Sequence, residues 1–428
     1  MNIRNVELRK NKESTLNKRI IILSLLDFPN GLGNTMRVKM IGKAFVSIGY
    51  KVSLLMAYAP GTVSKGLNQS TEGIFEGIEF KYCNGGPDPP RGYLSLLYLK
   101  TIGLIFVLKE IWKLNKVDYI KFLYLYGTHG TVFYEDISYW VISRIIGAKI
   151  ILDVNDASQE GIPMRFGSSL IRYWLRKLKH IFIRVKGNFT ISHADYLFYV
   201  SKYLKDDIEK KKKLSAKMLF VPMLIDSVAI EGIKCDRGTG KKIIGYAGFI
   251  KDYEGLDFLL ESLVKLKLAK SFSEFICYLY GATQSNVIMV NRLQKMISEL
   301  GLKEHVFIKD SVSQDTIYQT LVDCDVLVVP RRSNVITLSG FSQKFGDYLL
   351  SGVSVVSTAV GEVVNMLESG KNIVFTPEGD TDAFAKAIHN LLEDKNKAME
   401  IGLNGRKFVT ENFDFRIVAR HIEALLES

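Results

Sequence analysis

The chain predicts an α/β protein made of two doubly wound domains, and three observations carry that expectation. Strand and helix patterns alternate along the whole length, which implies βαβ units and parallel sheets. The strands are continuous apolar runs, as in sheets covered on both faces. At 428 residues the chain exceeds what one core ordinarily holds.

The first half opens on the apolar run 19–25, a strand, followed by a loop from Pro29 to Asn34. A helix follows with Met40, Ile41, Ala44, Phe45 and Ile48 on one face, and Gly49 ends it. Further strands are expected at 52–56, 119–125, 149–154 and 196–200. Residues 227–241 collect Gly232, Asp236, Gly238 and Gly240 and lose apolar periodicity, so they read as the join. The second half restarts at Lys242 and places strands at 242–248, 274–280, 306–308, 326–329 and 353–357. Its first helix carries Leu259, Leu260, Leu263 and Leu266. The expected division is 1–226, 241–410, and a terminal helix at 411–428 packing back toward the first domain. Ligands of such sheets bind outside the carboxyl ends of the strands, so the two domains are expected to face a central cleft.

Charge divides unevenly. Residues 1–240 carry 36 Lys+Arg against 21 Asp+Glu, and the remainder 21 against 24. The first half therefore faces something anionic: nucleic acid, anionic lipid or a phosphorylated substrate. Cys83, Cys235, Cys277 and Cys324 are far apart, which argues against a zinc site and a disulfide framework and fits a reducing compartment. Residues 1–18 are too polar for a signal peptide. The run 94–108 is apolar apart from Lys100 and reads either as a buried helix or as one lying in a membrane interface.

Two stretches point to chemistry. Ser339-Gly340-Phe341-Ser342-Gln343-Lys344-Phe345-Gly346-Asp347 reads as a glycine-bearing loop running into a helix headed by a lysine, with an acid one turn on. Helix N-terminal N–H groups suit a diphosphate, Lys344 adds a point charge, and Asp347 can accept from a ribose diol. An ordinary αβ unit with a solvated acid is the plain alternative. The second stretch, 169–186, sets Ile171, Trp174, Leu175, Leu178, Ile181, Phe182 and Val185 on one stripe. Arg172, Arg176, Lys177, Lys179, Arg184 and Lys186 cover the rest, and no acid occurs from Gly161 to Ala194. That composition suits a helix on anionic lipid; packing on the first sheet with its charges solvated is the alternative. No nucleic-acid recognition motif accompanies the charge. Gly31 and Gly33 either let backbone N–H groups approach a ligand or make a tight β–α turn. They lack the third glycine and downstream acid of a dinucleotide fingerprint.

From about Arg19 to Asn412 the chain resembles the retaining nucleotide-sugar glycosyltransferases of the GT-B fold, in family four (glycosyl transferases group 1, of the bacterial surface-polysaccharide type). Gly245-Tyr246-Ala247-Gly248 and Gly255-Leu256-Asp257 look like the opening of that family's donor domain. Val328-Val329-Pro330 looks like the strand end before the donor loop, and 339–347 matches the acid-glycine-phenylalanine-glycine loop with its acid at the ninth position. Gly31, Gly33, Asp195, Pro222 and Asp226 sit where the first loop and the approach to the hinge would lie.

The resemblance implies that Gly248, Ser339, Gly340, Phe341, Ser342, Lys344 and Asp347 hold a nucleotide sugar. Lys251, or the pair Arg331-Arg332, is the candidate to replace the charge of the family's basic pair, with a solvated strand end as the plain alternative for the arginines. It places Gly31, Gly33, Asn34, Arg37 and Asn155 on the acceptor side. Lys344, Asp347, Asp156 and His129 are the catalytic candidates, and no metal or other cofactor is expected. Arg172, Trp174, Arg176, Lys177, Lys179, Phe182 and Arg184 would meet the inner face of a cell membrane, where a lipid-linked glycan is extended. Four departures stand out. The first family acid falls on Ser339, and the second is the shorter Asp347. The usual basic pair falls on Phe249 and Glu254, and a common histidine falls on Asn155. They leave room for a non-catalytic, membrane-docked homologue, and an epimerase on the same fold is the third reading.

Overall fold

The computed structural model describes residues 17–31, 33–58, 68, 70–84, 93–126, 133–155, 185, 187–211, 214–236, 240–269, 274–313 and 316–428. They form two compact units. The first takes the described residues up to Val200, Leu204–Leu224 and Phe415–Ser428; the second takes Ser201–Tyr203 and Ile225–Asp414.

The first unit is an eight-stranded sheet. Its strands are β1 (Lys18–Leu23), β2 (Lys51–Met56), β3 (Glu72–Phe75), β4 (Ile78–Tyr82), β5 (Tyr119–Tyr126), β6 (Lys149–Val154), β7 (Tyr196–Tyr199) and β8 (Lys217–Phe220), in the order β3-β4-β2-β1-β5-β6-β7-β8. Every pairing is parallel except β3–β4. Alternate residues of one apolar run serve two cores, which is why the runs are unbroken. Ile20 and Ile22 face the helices Gly33–Ser47 and Phe415–Glu427, through Val38, Ile41, Phe45, Val418 and Ile422. Ile21 and Leu23 face the helices Tyr93–Val117 and Phe133–Ile146, through Leu104, Val107, Ile111 and Tyr139. Residues 94–108 fall within the helix Tyr93–Val117, on which Leu104 and Val107 are buried while Ile105, Phe106 and Trp112 lie exposed.

The second unit is a six-stranded parallel sheet. Its strands are β9 (Lys242–Ala247), β10 (Phe275–Ala282), β11 (Val306–Asp310), β12 (Val326–Val329), β13 (Ser354–Thr358) and β14 (Val374–Thr376), in the order β11-β10-β9-β12-β13-β14. Renumbered from its own first strand this is 3-2-1-4-5-6, the dinucleotide-binding order, whose switch point lies between β9 and β12. Leu256–Leu268 and Thr381–Glu393 cover one face over a core of Leu259, Leu263, Cys277, Leu279, Phe384 and Ile388. The stretch expected as a linker begins inside this unit. Ser227–Ile230 forms a short 3-10 turn whose Asp226 cap accepts from Val228 N, and Ser227 N donates to Asp414 at 2.9 Å.

Strands β3, β4, β8 and β14 were not among the sequence expectations. The β3–β4 hairpin turns on Glu76 and Gly77, both at positive φ (48° and 82°), which is the mirror-image turn that matches strand twist. A glutamate in place of the usual asparagine or aspartate conceals that signal.

Candidate functional site

In the second unit the carboxyl ends of β9 and β12 bring Gly248, Glu254, Arg331 and Lys344 together. The helix Gln343–Ser351 opens without a side-chain cap, and its N-terminus is the end whose dipole attracts an anion. Lys344 stands at its head and runs back over Gly248. A Cβ on that glycine would lie 1.9 Å from Lys344 Cε, so the absent side chain is what admits the lysine. Lys344 Nζ sits 2.8 Å from Glu254 Oε2 and 5.2 Å from the centre of the Tyr246 ring. Arg331 Nε lies 3.9 Å from the same carboxylate oxygen and is buried without a hydrogen-bond partner.

Burial by itself would raise the Glu254 carboxyl, but Lys344 and Arg331 outweigh it and hold it below the usual glutamate value. For Lys344 burial wins over the pull of Glu254, and its ammonium is held below the usual lysine value.

One turn beyond Lys344, Asp347 receives hydrogen bonds from Tyr318 Oη (3.1 Å) and Gln343 Nε2 (3.4 Å). Burial pushes its carboxyl up to about 6, although both bonds pull the other way. Sequence reasoning missed Tyr318, because 29 residues separate it from Asp347 and only the packing of Ile317–Val322 on Gln343–Ser351 joins them. Lys251 is exposed and lies over the Phe249 and Tyr253 rings, at 5.1 and 5.4 Å.

Two of the donor-side candidates have buried side chains. Ser339 is fully buried, and its carbonyl accepts from Ser201 Oγ at 2.5 Å, so its side chain has no open path to a sugar. Phe341 is buried against Phe345 and Phe413 and works as core. Gly340 and Ser342 are part-exposed at the start of the lysine-headed helix.

In the first unit the ends of β5 and β6 gather two of the acceptor-side candidates. Tyr126 Oη donates to Asn34 Oδ1 (3.1 Å) and accepts from Asn155 Nδ2 (2.7 Å). Gly33 is exposed and open, whereas a Cβ on Gly31 would lie 1.9 Å from Thr35 Oγ1 and 2.5 Å from Asp27 O. Gly31 is therefore required by the turn itself.

Arg37 is corrected outright. It is fully buried and forks onto Asp153 through Nε (2.7 Å) and Nη2 (2.8 Å), while Nη1 donates to Pro222 O and Nη2 to Val221 O. Burial alone would lower its pKa, yet Asp153 raises it above the ordinary arginine value. Its charge serves the fold. Sequence reasoning also passed over Glu135 and Asp136, two buried acids that line a small cavity with Leu23, Tyr126 and Tyr139 at the switch point of this sheet. Their only sequence signal is a pair of acids opening a helix.

His129, Asp156, Arg172, Trp174, Arg176, Lys177, Lys179, Phe182 and Arg184 lie outside the described residues. Among the described residues no cluster of His, Cys, Asp or Glu has the arrangement of a metal site, and no helix is long and apolar enough to cross a membrane.

Two doubly wound units of this kind are the architecture of the GT-B fold. Solved structures share it. A sucrose-phosphate synthase from Thermosynechococcus elongatus matches with TM-score 0.69 at 14% identity, over 96% of this chain and 98% of that one. Anabaena HepE, solved in complex with UDP, matches with TM-score 0.66 at 15% identity, over 96% and 99%. Residues 234–408 match the family described as glycosyl transferases group 1. A curated relative, the GDP-mannose-dependent alpha-(1-6)-phosphatidylinositol monomannoside mannosyltransferase of Mycolicibacterium smegmatis, is 26% identical over 136 residues. The alignment covers 31% of this chain and 36% of the relative, so the chain spans about a third of that protein's length.

Proposed function

We propose that the protein is a retaining glycosyltransferase that moves a sugar from a nucleoside-diphosphate sugar to a lipid-linked glycan in cell-surface polysaccharide synthesis. One observation carries the reading. Lys344, at the head of a helix without a side-chain cap, lies over Gly248 at the switch point of the second sheet, and Asp347 follows one turn along the same helix. As the glycosidic bond breaks, charge gathers on the departing diphosphate oxygen. A lysine and helix N–H groups already oriented toward that place stabilise it without reorganising. Asp347 accepts from the ribose hydroxyls, which positions the nucleotide. HepE was solved with UDP and the mycobacterial relative is named for GDP-mannose, and both support a nucleoside-diphosphate donor.

The acceptor and the membrane belong to the same proposal. The relative is named for a phosphatidylinositol mannoside, which supports a lipid-linked acceptor. On the helix Tyr93–Val117, Ile105, Phe106 and Trp112 are exposed beside Lys109, Lys113 and Lys116, a composition suited to an anionic lipid surface. Peripheral association with the inner face of the cell membrane follows from this reading.

A second reading, a non-catalytic homologue that partners another transferase, draws on the buried Ser339 and on the carboxylate of Glu254 beside Lys344. Calorimetric titration with UDP, GDP and ADP separates the two. The transferase is expected to bind one base selectively, and Asp347→Ala is expected to weaken that binding by about tenfold or more, the scale of a lost hydrogen bond to a charged group. Absence of binding by all three sinks the transferase and favours the second reading.

A further inference from the structure

We propose that Glu254 is a built-in competitor of the donor's diphosphate: it occupies Lys344 when the site is empty and takes it back when the product leaves. The inference rests on the donor-site reading above and adds a regulation of that site.

Glu254 is fixed and Lys344 is the movable partner. Glu254 is buried and closes the short turn Asp252–Glu254. Gly255 follows at φ 69°, and a Cβ there would lie 1.9 Å from Pro330 O, so the turn sits directly on the end of β12. Arg332 N donates to Tyr253 O at 3.0 Å and locks the same junction. The backbone that carries the carboxylate is therefore pinned, and 6% of the Glu254 side chain is exposed. Lys344 reaches it on a four-carbon stem laid through the groove that Gly248 leaves open, and 13% of its side chain is exposed. An ammonium has three donors, and Glu254 engages it from one side only.

An anion arriving at the head of the helix Gln343–Ser351 must then share Lys344 with a carboxylate or draw it away. The two cations and one carboxylate leave a smaller field for phosphate than a lysine alone beside Arg331 would give. That lowers affinity for substrate and product alike. Because the empty site is already neutralised, a departing diphosphate does not strand a bare buried ammonium, which would be costly. Glu254 thus trades binding strength for release.

The test is calorimetry on the full chain with UDP, GDP and ADP at fixed salt, comparing the unaltered protein with Glu254→Gln, Lys344→Gln and the double variant. Glu254→Gln keeps the shape and removes the charge. It is expected to tighten the preferred nucleoside diphosphate by about tenfold, the scale of one part-buried charge interaction. The gain is expected to vanish when Lys344 is also glutamine. Glu254→Asp retracts the charge by about one carbon–carbon bond, roughly 1.5 Å, and is expected to tighten binding by a smaller factor. It serves as the test if the glutamine variant does not fold. Unchanged or weaker binding by either folded variant overturns the competitor role and leaves Glu254 as a support for Lys344. No nucleotide bound by the unaltered protein or by the variants overturns the donor-site reading itself, and the competitor with it.

Discussion

Each unit buries an ion pair near its switch point, and the two pairs are built differently. Arg37 and Asp153 in the first unit are both fully buried, and the guanidinium spends its donors on the carboxylate and on two backbone carbonyls. Tyr124 Oη adds a further bond to Asp153 at 2.6 Å. In the second unit a single carboxylate, Glu254, serves two cations: Lys344 at 2.8 Å and Arg331 at 3.9 Å. The Arg331 Nε remains without a hydrogen-bond partner there. A network with every donor placed holds the fold together. A network short of acceptors keeps an anion-binding capacity in reserve, and it stands where the strand order reverses.

Three substitutions and one titration break or sharpen that contrast. Arg37→Met should have the largest effect. It leaves Asp153 buried and uncompensated, and a loss of about 3–5 kcal/mol in chemical denaturation is expected. A neutral result would mean that Asp153 finds water or another donor, and that the first pair is no more complete than the second.

Next in size is the response to pH. Asp347 has its carboxyl raised to about 6, from an ordinary value of 3.8. Nucleotide binding through its ionised form should weaken by about tenfold per unit once pH drops below that value. Stability runs the other way. An acid raised on folding penalises the native state fully above about 6, and the penalty is relieved as pH falls from there toward 3.8. Asp347→Asn should therefore be more stable than the unaltered chain at pH 7, with the difference closing near pH 4. A constant difference across that range would show that Asp347 titrates normally.

The smallest effect is expected from Tyr318→Phe. Removing its hydroxyl takes away a bond that favours ionised Asp347. The midpoint of the pH-dependent nucleotide affinity should move upward, with a cost at neutral pH of about 0.5–1.5 kcal/mol, one hydrogen bond. A midpoint that stays in place would assign Tyr318 to packing alone.

Much of the fold is legible in the chain because a strand buried on both faces leaves an unbroken apolar run. Strands β6 and β12 fall at 149–154 and 326–329 as the runs predict, and β1, β2, β5 and β9 lie within two residues of expectation. The strands that escaped notice are short or edge elements: the β3–β4 hairpin, β8 and the three-residue β14. Strands of three or four part-exposed residues leave no long apolar run to read.

The candidate site divides in the same way. Gly248, Lys344 and Asp347 stand out locally, since a glycine after a strand and a charged residue at a helix head have meaning within a few positions. Arg37 illustrates the opposite case. A basic residue behind a glycine loop looks ligand-facing in one dimension, yet Asp153, 116 residues away, captures it.

By itself the sequence determined that this is a two-domain α/β protein with a lysine and an acid at the head of one helix, because periodicity, glycine turns and helix openings are local properties. Only the tertiary structure decided which charges face inward and which acid meets which base. The 3-2-1-4-5-6 order folds distant strand ends into one crevice, bringing Glu254, Arg331 and Lys344 within ion-pair reach across 90 residues of chain. Coulomb attraction depends on distance in space and on burial, and neither is written along the chain.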